Sequence, residues 1–354
     1  MTEWQPPGDT AGSTPKRARE DTWRHRVALL RWGGAIGGLT LLVFMIRQAG
    51  VSRVVAQLVA LGPWVLIILP VSASWFLLNT YAWSIALRPR RVSWRALLRA
   101  HVIGEAVSNL TPFMALGGEP LKIALLRGLV PDEVAAASVV GDNVVHAASA
   151  PVFMMLGLAL GVWAFGFGAA LAGRLLVPVA VAGLAAWGLL RLSGRGLVAP
   201  TVRLALRALS RNAHATLVDR AGNVDRTVGE FLRAGQWPVW AALGAHLAGR
   251  MMGAVEACVI MAALGTPLSL AAATFVIAVT HVAVNLVFSV VPSQLGVQEG
   301  AAYLLFSAVS LDPASAIALM LVRRVRGFFW NGVGLALLAD DRARDRAAKK
   351  TTGA

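Results

Sequence analysis

Long apolar runs separated by short polar or basic stretches occupy most of the chain from residue 27 onward. They fall at 27–46, 64–87, 134–165, 174–190, 237–264, 271–291, 301–311 and 314–338. A run of about 20 apolar residues matches the roughly 30 Å hydrocarbon thickness of a bilayer, so most of these runs predict transmembrane helices. Residues 1–26 are hydrophilic, rich in Pro, Gly and Thr with mixed charge, and predict a disordered segment. No cleavable signal is evident, and the first apolar helix is read as an uncleaved anchor. Residues 339–354 predict a short polar tail.

The basic residues orient the runs. Residues 16–31 hold six Lys and Arg, 88–99 hold five, 191–233 hold eight and 342–350 hold five. With Lys122 and Arg127 these make 26 of the 33 in the chain, whereas 47–63 hold two, 166–174 one and 265–270 none. Rich segments are read as cytoplasmic and poor ones as external, which puts both termini in the cytoplasm. Parity then requires residues 96–127 to enter from and return to the cytoplasm, and residues 271–311 to do so from outside. The expected architecture is an all-α polytopic membrane protein. It has one membrane domain over 27–338, about six full crossings and two re-entrant helical hairpins. Residues 271–291 are long enough to cross fully, but that would place the basic C-terminal segment outside.

Composition agrees. Apolar residues form 57% and charged residues 14%, with a mean hydropathy of +0.65, against roughly 25% charge in soluble domains. The net charge of +15 lies between apolar runs, which points to topology and anionic lipid headgroups and away from nucleic acid. Cys258 stands alone, so there is no disulfide framework. Within 196–234, Arg203, Arg207 and Arg211 recur every fourth residue near Val202, Leu206 and Leu209. This reads as a basic amphipathic helix on the cytoplasmic leaflet or as a solvated connector. Arg91, Arg95 and Arg99 repeat the spacing beside Trp94. Trp64, Trp83, Trp94, Trp163, Trp237 and Trp240 sit at segment ends, as in an interfacial belt.

The two expected hairpins share a pattern. Asn109-Leu110, Pro112, Gly117-Gly118 and Glu119 are echoed by Asn285-Leu286, Pro292, Gly296 and Glu299, each Glu standing seven residues after its proline. The Asn-to-Pro spacing differs by four residues, about one helical turn. Opposed sides of insertion make this an inverted-topology repeat, a design that binds substrate near the bilayer midplane. Gly117 and Gly118 would let the backbone turn and Pro120 would begin a helix. The N–H groups and partial positive charge of that helix, with Lys122 and Arg127, would face an anionic ligand. Glu119 is a binding candidate or an N-cap, although Glu is a poor capping residue and a buried carboxylate is expensive. Glu299 is read the same way. Asn109 and Asn285 are assigned to satisfying backbone groups at the kinks.

Other polar groups lie at membrane depth. Asp142 and His146 form a stripe with Ser138 and Ser149, consistent with interior packing or proton coupling; further metal ligands are not evident. Arg250 stands mid-run, with His246 one turn earlier, and requires a partner or an anionic ligand. Glu119, Glu299 and Glu256 are candidate partners. Arg323, Arg324 and Arg326 interrupt the last run in "LVRRVRGFFWNG", and at least one is expected to face a cavity as a phosphate ligand. His281 is read as a packing residue.

"EAVSNLTPFMALGGEPLKIALL", "VPSQLGVQEGAAYLLF" and "LVRRVRGFFW" resemble the signature regions of the flippase-like family. It is also called the lysylphosphatidylglycerol synthase transmembrane-region family. The similarity spans about residues 30–338, and Gly-Val-Gln-Glu-Gly with the Arg pair looks most like its hopanoid-associated branch. The resemblance implies a multi-pass protein of the bacterial inner membrane that moves a lipid, phosphate-bearing or of hopanoid or polyprenyl type, between leaflets. It also implies importance at Gly117, Gly118, Glu119, Gly296, Glu299, Arg323 and Arg324. With only Asp340–Ala354 after the last run, the aminoacyl-transferase domain of the family's multidomain members is not expected. No enzymatic activity and no cofactor are expected. Membrane lipids are the expected partners, with lipid-biosynthesis enzymes as further ones and no nucleic acid. No Walker motif is present, so ATP is not expected to drive transport directly. A scaffold for lipid-modifying enzymes is one alternative. A lipid-pyrophosphate phosphatase is another, disfavoured because Pro292–Val297 lacks the Ser-Arg-Ser core such enzymes resemble.

Overall fold

The computed structural model describes residue 59 and residues 61–110, 115–166, 169–208, 215–233, 236–288 and 297–352. The segment expected to be disordered at 1–26, the expected first crossing at 27–46, residues 111–114 with Pro112, the stretch 289–296 with Pro292 and Gly296, and Arg211 lie outside these. So do the side chains of Arg207, His281, Asn285 and Glu299.

The described residues are helical. A turn at Gly62–Trp64 leads into α1 (Val65–Ala86), followed by α2 (Trp94–Leu110), α3 (Ala115–Leu125), α4 (Asp132–Phe165) and α5 (Ala169–Ser193). Then come α6 (Val198–Ala208), α7 (Ala215–Arg233), α8 (Gln236–Ala263), α9 (Leu270–Phe288), α10 (Val297–Ala308) and α11 (Pro313–Thr352). Three helices among the described residues are long and apolar enough to cross a bilayer: Gly62–Ala86, Asp132–Phe165 and Trp237–Ala263. α4 shows why such a run stays helical. Asp132 and Glu133 in its first turn complement the N-terminal dipole, and Gly166 ends it in a left-handed conformation (φ 62°), donating its N–H to Val162 O at 2.9 Å.

The long-then-short pair α2 and α3 (17 and 11 residues) recurs as α9 and α10 (19 and 12 residues). Helices as short as α3 and α10 reach only about 17 Å, roughly half the hydrocarbon thickness.

Contacts between helices repeat the same way. α1 packs on α8. α2 packs on α3 and on α11, and α9 packs on α10 and on α4. Exchanging α1–α4 for α8–α11 therefore carries each of these contacts onto another of them. Atomic detail agrees: a Cβ on Gly157 of α4 would lie 2.4 Å from Ala278 Cβ and 3.2 Å from Thr274 O. A Cβ on Gly334 of α11 would lie 2.4 Å from Ala106 Cβ and 2.8 Å from Val102 O. Both glycines open the sequence Gly-Leu-Ala-Leu, and both let helix backbones approach closely. Aligned on these contacts, Asn109 stands three residues beyond Ala106, at the level of position 281 and one turn short of Asn285. The two Asn-Leu pairs are thus not equivalent positions, because α9 continues further past its Gly contact than α2 does.

The structure corrects or extends three expectations. First, the segment 196–234 is two helices. Asp225 of α7 accepts the N–H groups of Leu197, Val198 and Ala199 at 2.9, 2.8 and 2.8 Å, satisfying the orphan donors at the start of α6. Val224 and Val228 of α7 pack on Ala137 of α4, so α7 is docked on the bundle and is not a solvated connector. Second, the tail beyond 338 continues α11 as helix to Thr352. Arg99 holds that extension, pairing with Asp340 at 2.5 Å and Asp341 at 2.8 Å and donating to Leu337 O at 3.0 Å. Third, Trp83 is not in an interfacial belt. It is 1% exposed and donates its indole N–H to Ser138 Oγ at 3.1 Å. Trp64, Trp94, Trp163, Trp237 and Trp240 are exposed, as expected.

Candidate functional site

A cavity of about 820 Å³ opens where the two four-helix units meet. α2 supplies Glu105 and Asn109, α4 supplies His146, α8 supplies Arg250 and Glu256, and α11 supplies Arg323, Arg324, Arg326 and Asn331. Gln298 of α10, Trp75 and Phe76 of α1 and Trp330 of α11 are also in its lining. The cavity is bounded by helices of both units, the position the repeat predicts for a binding site.

Arg250 is 9% exposed. Its Nε donates to Ser149 Oγ at 2.7 Å; its Nη2 donates to His146 O at 3.1 Å and lies 3.2 Å from His146 Nε2. All of these partners are uncharged or neutral-capable. The expected carboxylates are elsewhere: Glu119 pairs with Lys122 and Glu256 with two other arginines. The Glu299 side chain is not described.

Behind Arg250 runs a polar chain through the bundle. His146 Nδ1 lies 3.2 Å from His246 Nδ1. His246 Nδ1 lies 2.6 Å from Asn79 Oδ1 and its Nε2 3.0 Å from Asp142 Oδ1. The stripe read from α4 is therefore real in space: Ser138, Asp142, His146 and Ser149 all face partners on α1 or α8. Gly249 permits the close approach of α1, since a Cβ there would lie 2.7 Å from Asn79 Nδ2.

On the opposite wall Glu256, 2% exposed, sits between Arg323 Nη1 at 3.1 Å and Arg326 Nε at 2.8 Å. The second contact is close in distance but off the angle of a hydrogen bond. Arg323 also donates to Gly253 O at 3.0 Å. α11 begins at Pro313, so they stand about three turns inside it and turn toward α8.

The Gly-Gly-Glu-Pro stretch behaves differently from its sequence reading. α3 starts at Ala115, so Gly117, Gly118, Glu119 and Pro120 lie within a helix and none of them opens one. Gly118 serves packing: a Cβ would meet Ser108 Oγ at 2.0 Å and Gly104 O at 2.2 Å. Lys122, 4% exposed, bridges Glu105 at 3.0 Å and Glu119 at 3.2 Å. Neither Glu119 nor Lys122 lines the cavity. Only Glu105 connects this cluster to it. Asn109 donates to Asn331 Oδ1 at 3.3 Å, joining α2 to α11.

Sequence reasoning missed Glu105, Asn79, Gln298 and Asn331. Glu105 had a signal, as the one acidic residue in the apolar stretch "HVIGEAVSN". The others are neutral amides, and the partners of Asn79 and Asn331 lie on distant helices. Among the described residues no group of three or more His, Cys, Asp or Glu side chains could hold a metal.

Comparison with known proteins adds one finding. No curated protein and no solved structure matches the chain. The family described as the lysylphosphatidylglycerol synthase TM region matches residues 30–334. With most of its length matched, this chain belongs to the lysylphosphatidylglycerol synthase TM-region family.

Proposed function

We propose that the protein moves a membrane lipid with an anionic, phosphate-bearing headgroup between the leaflets of the bacterial inner membrane, without covalent chemistry on the lipid. The observation that carries this reading is Arg250. It is a buried guanidinium at the wall of an 820 Å³ cavity with no carboxylate in ion-pair reach among the described residues. A cation held in an apolar bundle without a counter-charge calls for an anionic ligand. The Glu256 cluster, with two arginines on one carboxylate, adds to the same demand. Membership of a family named for a lipid synthase membrane region supports lipid as the ligand. The short helices α3 and α10 and the exchange symmetry support paired re-entrant hairpins, with the headgroup crossing between them and its tail remaining in lipid.

The test is leaflet exchange of fluorescent anionic and zwitterionic phospholipids in proteoliposomes. Wild type is expected to exchange the anionic lipid, Arg250→Gln to lose at least about tenfold in rate, and Glu119→Gln to retain exchange. Exchange by Arg250→Gln at the wild-type rate would sink this role for Arg250. No exchange by wild type would favour a non-transporting scaffold.

A further inference from the structure

The polar chain behind Arg250 contains more hydrogen-bond demands than one set of protons can meet. An arginine only donates, so Arg250 Nη2 at 3.2 Å requires a lone pair on His146 Nε2. A neutral His146 then carries its proton on Nδ1, aimed at His246 Nδ1 3.2 Å away. The Asp142 carboxylate at 3.0 Å requires a proton on His246 Nε2. Asn79 Nδ2 donates to Trp75 O at 2.7 Å, which fixes its amide and turns Oδ1 toward His246 Nδ1 at 2.6 Å. That oxygen asks for a second proton on His246. With both protons present, two N–H groups face each other across the His146–His246 contact. With one, two lone pairs face each other across the Asn79 contact. With Arg250 on His146 Nε2, only one of these contacts is satisfied at a time.

Moving Arg250 resolves the conflict. If an anion in the cavity draws the guanidinium away, His146 Nε2 is released to bind a proton. The His146 Nδ1 proton passes to His246 Nδ1 along the existing contact, and a solvent proton arrives at His146 Nε2. His246 becomes an imidazolium donating to Asp142 and Asn79, and His146 stays neutral with its new N–H directed at the anion. The contacts named above are then satisfied, and one proton has been gained. On this basis, and resting on the anionic-headgroup reading above, we infer that the site couples binding of one phosphate-bearing group at Arg250 to uptake of one proton through the His146–His246 relay.

The groups around the relay fit that role. α1 contributes Asn79, and α8 contributes His246 and Arg250. α3 contributes the buried Lys122 and α2 the buried His101. α5 faces the cavity with Ala185, Ala186 and Leu189, and α9 with Ile277 and Thr280, none of them titratable. α7 meets α4 further along, through Phe231 at Gly141 and Val224 and Val228 at Ala137. α2 also brings Glu105 to the cavity, α8 brings Glu256, and α11 brings Arg323, Arg324 and Arg326, so proton uptake is assigned to the relay by its loss when either histidine is replaced.

The experiment uses the purified full chain in detergent and dimethyl phosphate, a diester whose charge is constant from pH 5 to 9. Binding is read from the fluorescence of Trp75 and Trp330, which line the cavity, and proton uptake from a pH indicator in weak buffer. The expected result is uptake approaching one proton per bound diester. Wild-type affinity should fall up to about tenfold per pH unit across the range in which the bound site gives up its proton. His246→Gln should bind at all pH values with the weaker, alkaline affinity of wild type and a flat profile, and His146→Gln should do the same. Diester binding without proton uptake, or a slope unchanged in both variants, would overturn the coupling while leaving the anion site standing. No diester binding by wild type at any pH would overturn both this inference and the functional reading it rests on.

Discussion

Lys122 and Glu256 are each a buried ion held between two ions of opposite sign, and the surplus charge of the two clusters differs in sign. Lys122 lies between Glu105 and Glu119 in the α2–α3 hairpin, with one carboxylate in excess. Glu256 lies between Arg323 and Arg326 on α8 and α11, with one guanidinium in excess. The carboxylate cluster is set away from the cavity apart from Glu105, whereas all three members of the guanidinium cluster line it. A surplus in a closed site must be tolerated by packing and hydrogen bonds alone. A surplus facing a cavity can be met by whatever enters. The first arrangement is a tie within a hairpin and the second is half of a binding site.

The largest expected effect comes from breaking the tie. Lys122→Met leaves Glu105 and Glu119 facing one another around an apolar side chain, and removing one partner of a buried cluster costs about 3–5 kcal/mol. Thermal unfolding in detergent reads the loss, and dimethyl phosphate should not restore it. A loss under about 1 kcal/mol would mean that the cluster behaves as a screened surface network, and the contrast would fail.

Glu256→Gln should have a smaller effect, a loss of about 1–3 kcal/mol, because Arg323 and Arg326 retain partial access to the cavity. Here dimethyl phosphate should recover most of the loss. Recovery in Glu256→Gln without recovery in Lys122→Met is the signature that separates the clusters, and equal responses would erase the distinction.

This contrast was only half visible in the sequence. The apolar runs located the helices because burial in lipid demands them, and Arg250 stood out as a lone cation in such a run. Its uncharged partners did not, since His146 and Ser149 lie 104 and 101 positions away and no local pattern links them. Gly117-Gly118-Glu119-Pro120 looked like a helix start, so Glu119 was read as facing a ligand. Once the helix begins at Ala115, Glu119 instead meets Lys122 one turn on. Hydropathy also misjudged the end of α11. It marks contact with lipid, whereas "DDRARDRAAKK" is polar and still helix-forming, with Arg99 tethering its acidic start.

The repeat itself can be tested through its two glycines. Gly157→Ala and Gly334→Ala each place a methyl about one bond length too close to a backbone-anchored alanine of the opposite hairpin. Overpacking of this kind costs about 1–3 kcal/mol. Matching losses, within about 0.5 kcal/mol, would support equivalent packing in the two units. A loss confined to one would show that the close approach is local to that unit.

Asp312 gives the smallest effect and a reference for both clusters, because its charge is held by hydrogen-bond donors alone. The Ser315 hydroxyl at 2.7 Å, then the N–H groups of Ala314 at 3.1 Å and Ser315 at 3.0 Å, favour its ionised form and hold its carboxyl below the usual range. A carboxyl lowered by folding stabilises above its unfolded value near 4 and loses that contribution as pH falls through the folded value. Amide exchange in the first turn of α11 should therefore be protected at pH 5 and lose protection, relative to later turns, as pH falls below about 4. In Asp312→Asn this loss should vanish, because the amide cannot titrate. A wild-type first turn whose protection does not change with pH would show that the cap does not depend on the charge. Solvent-facing ions would then be a poor reference for the buried clusters, whose surplus would have to be judged against each other alone.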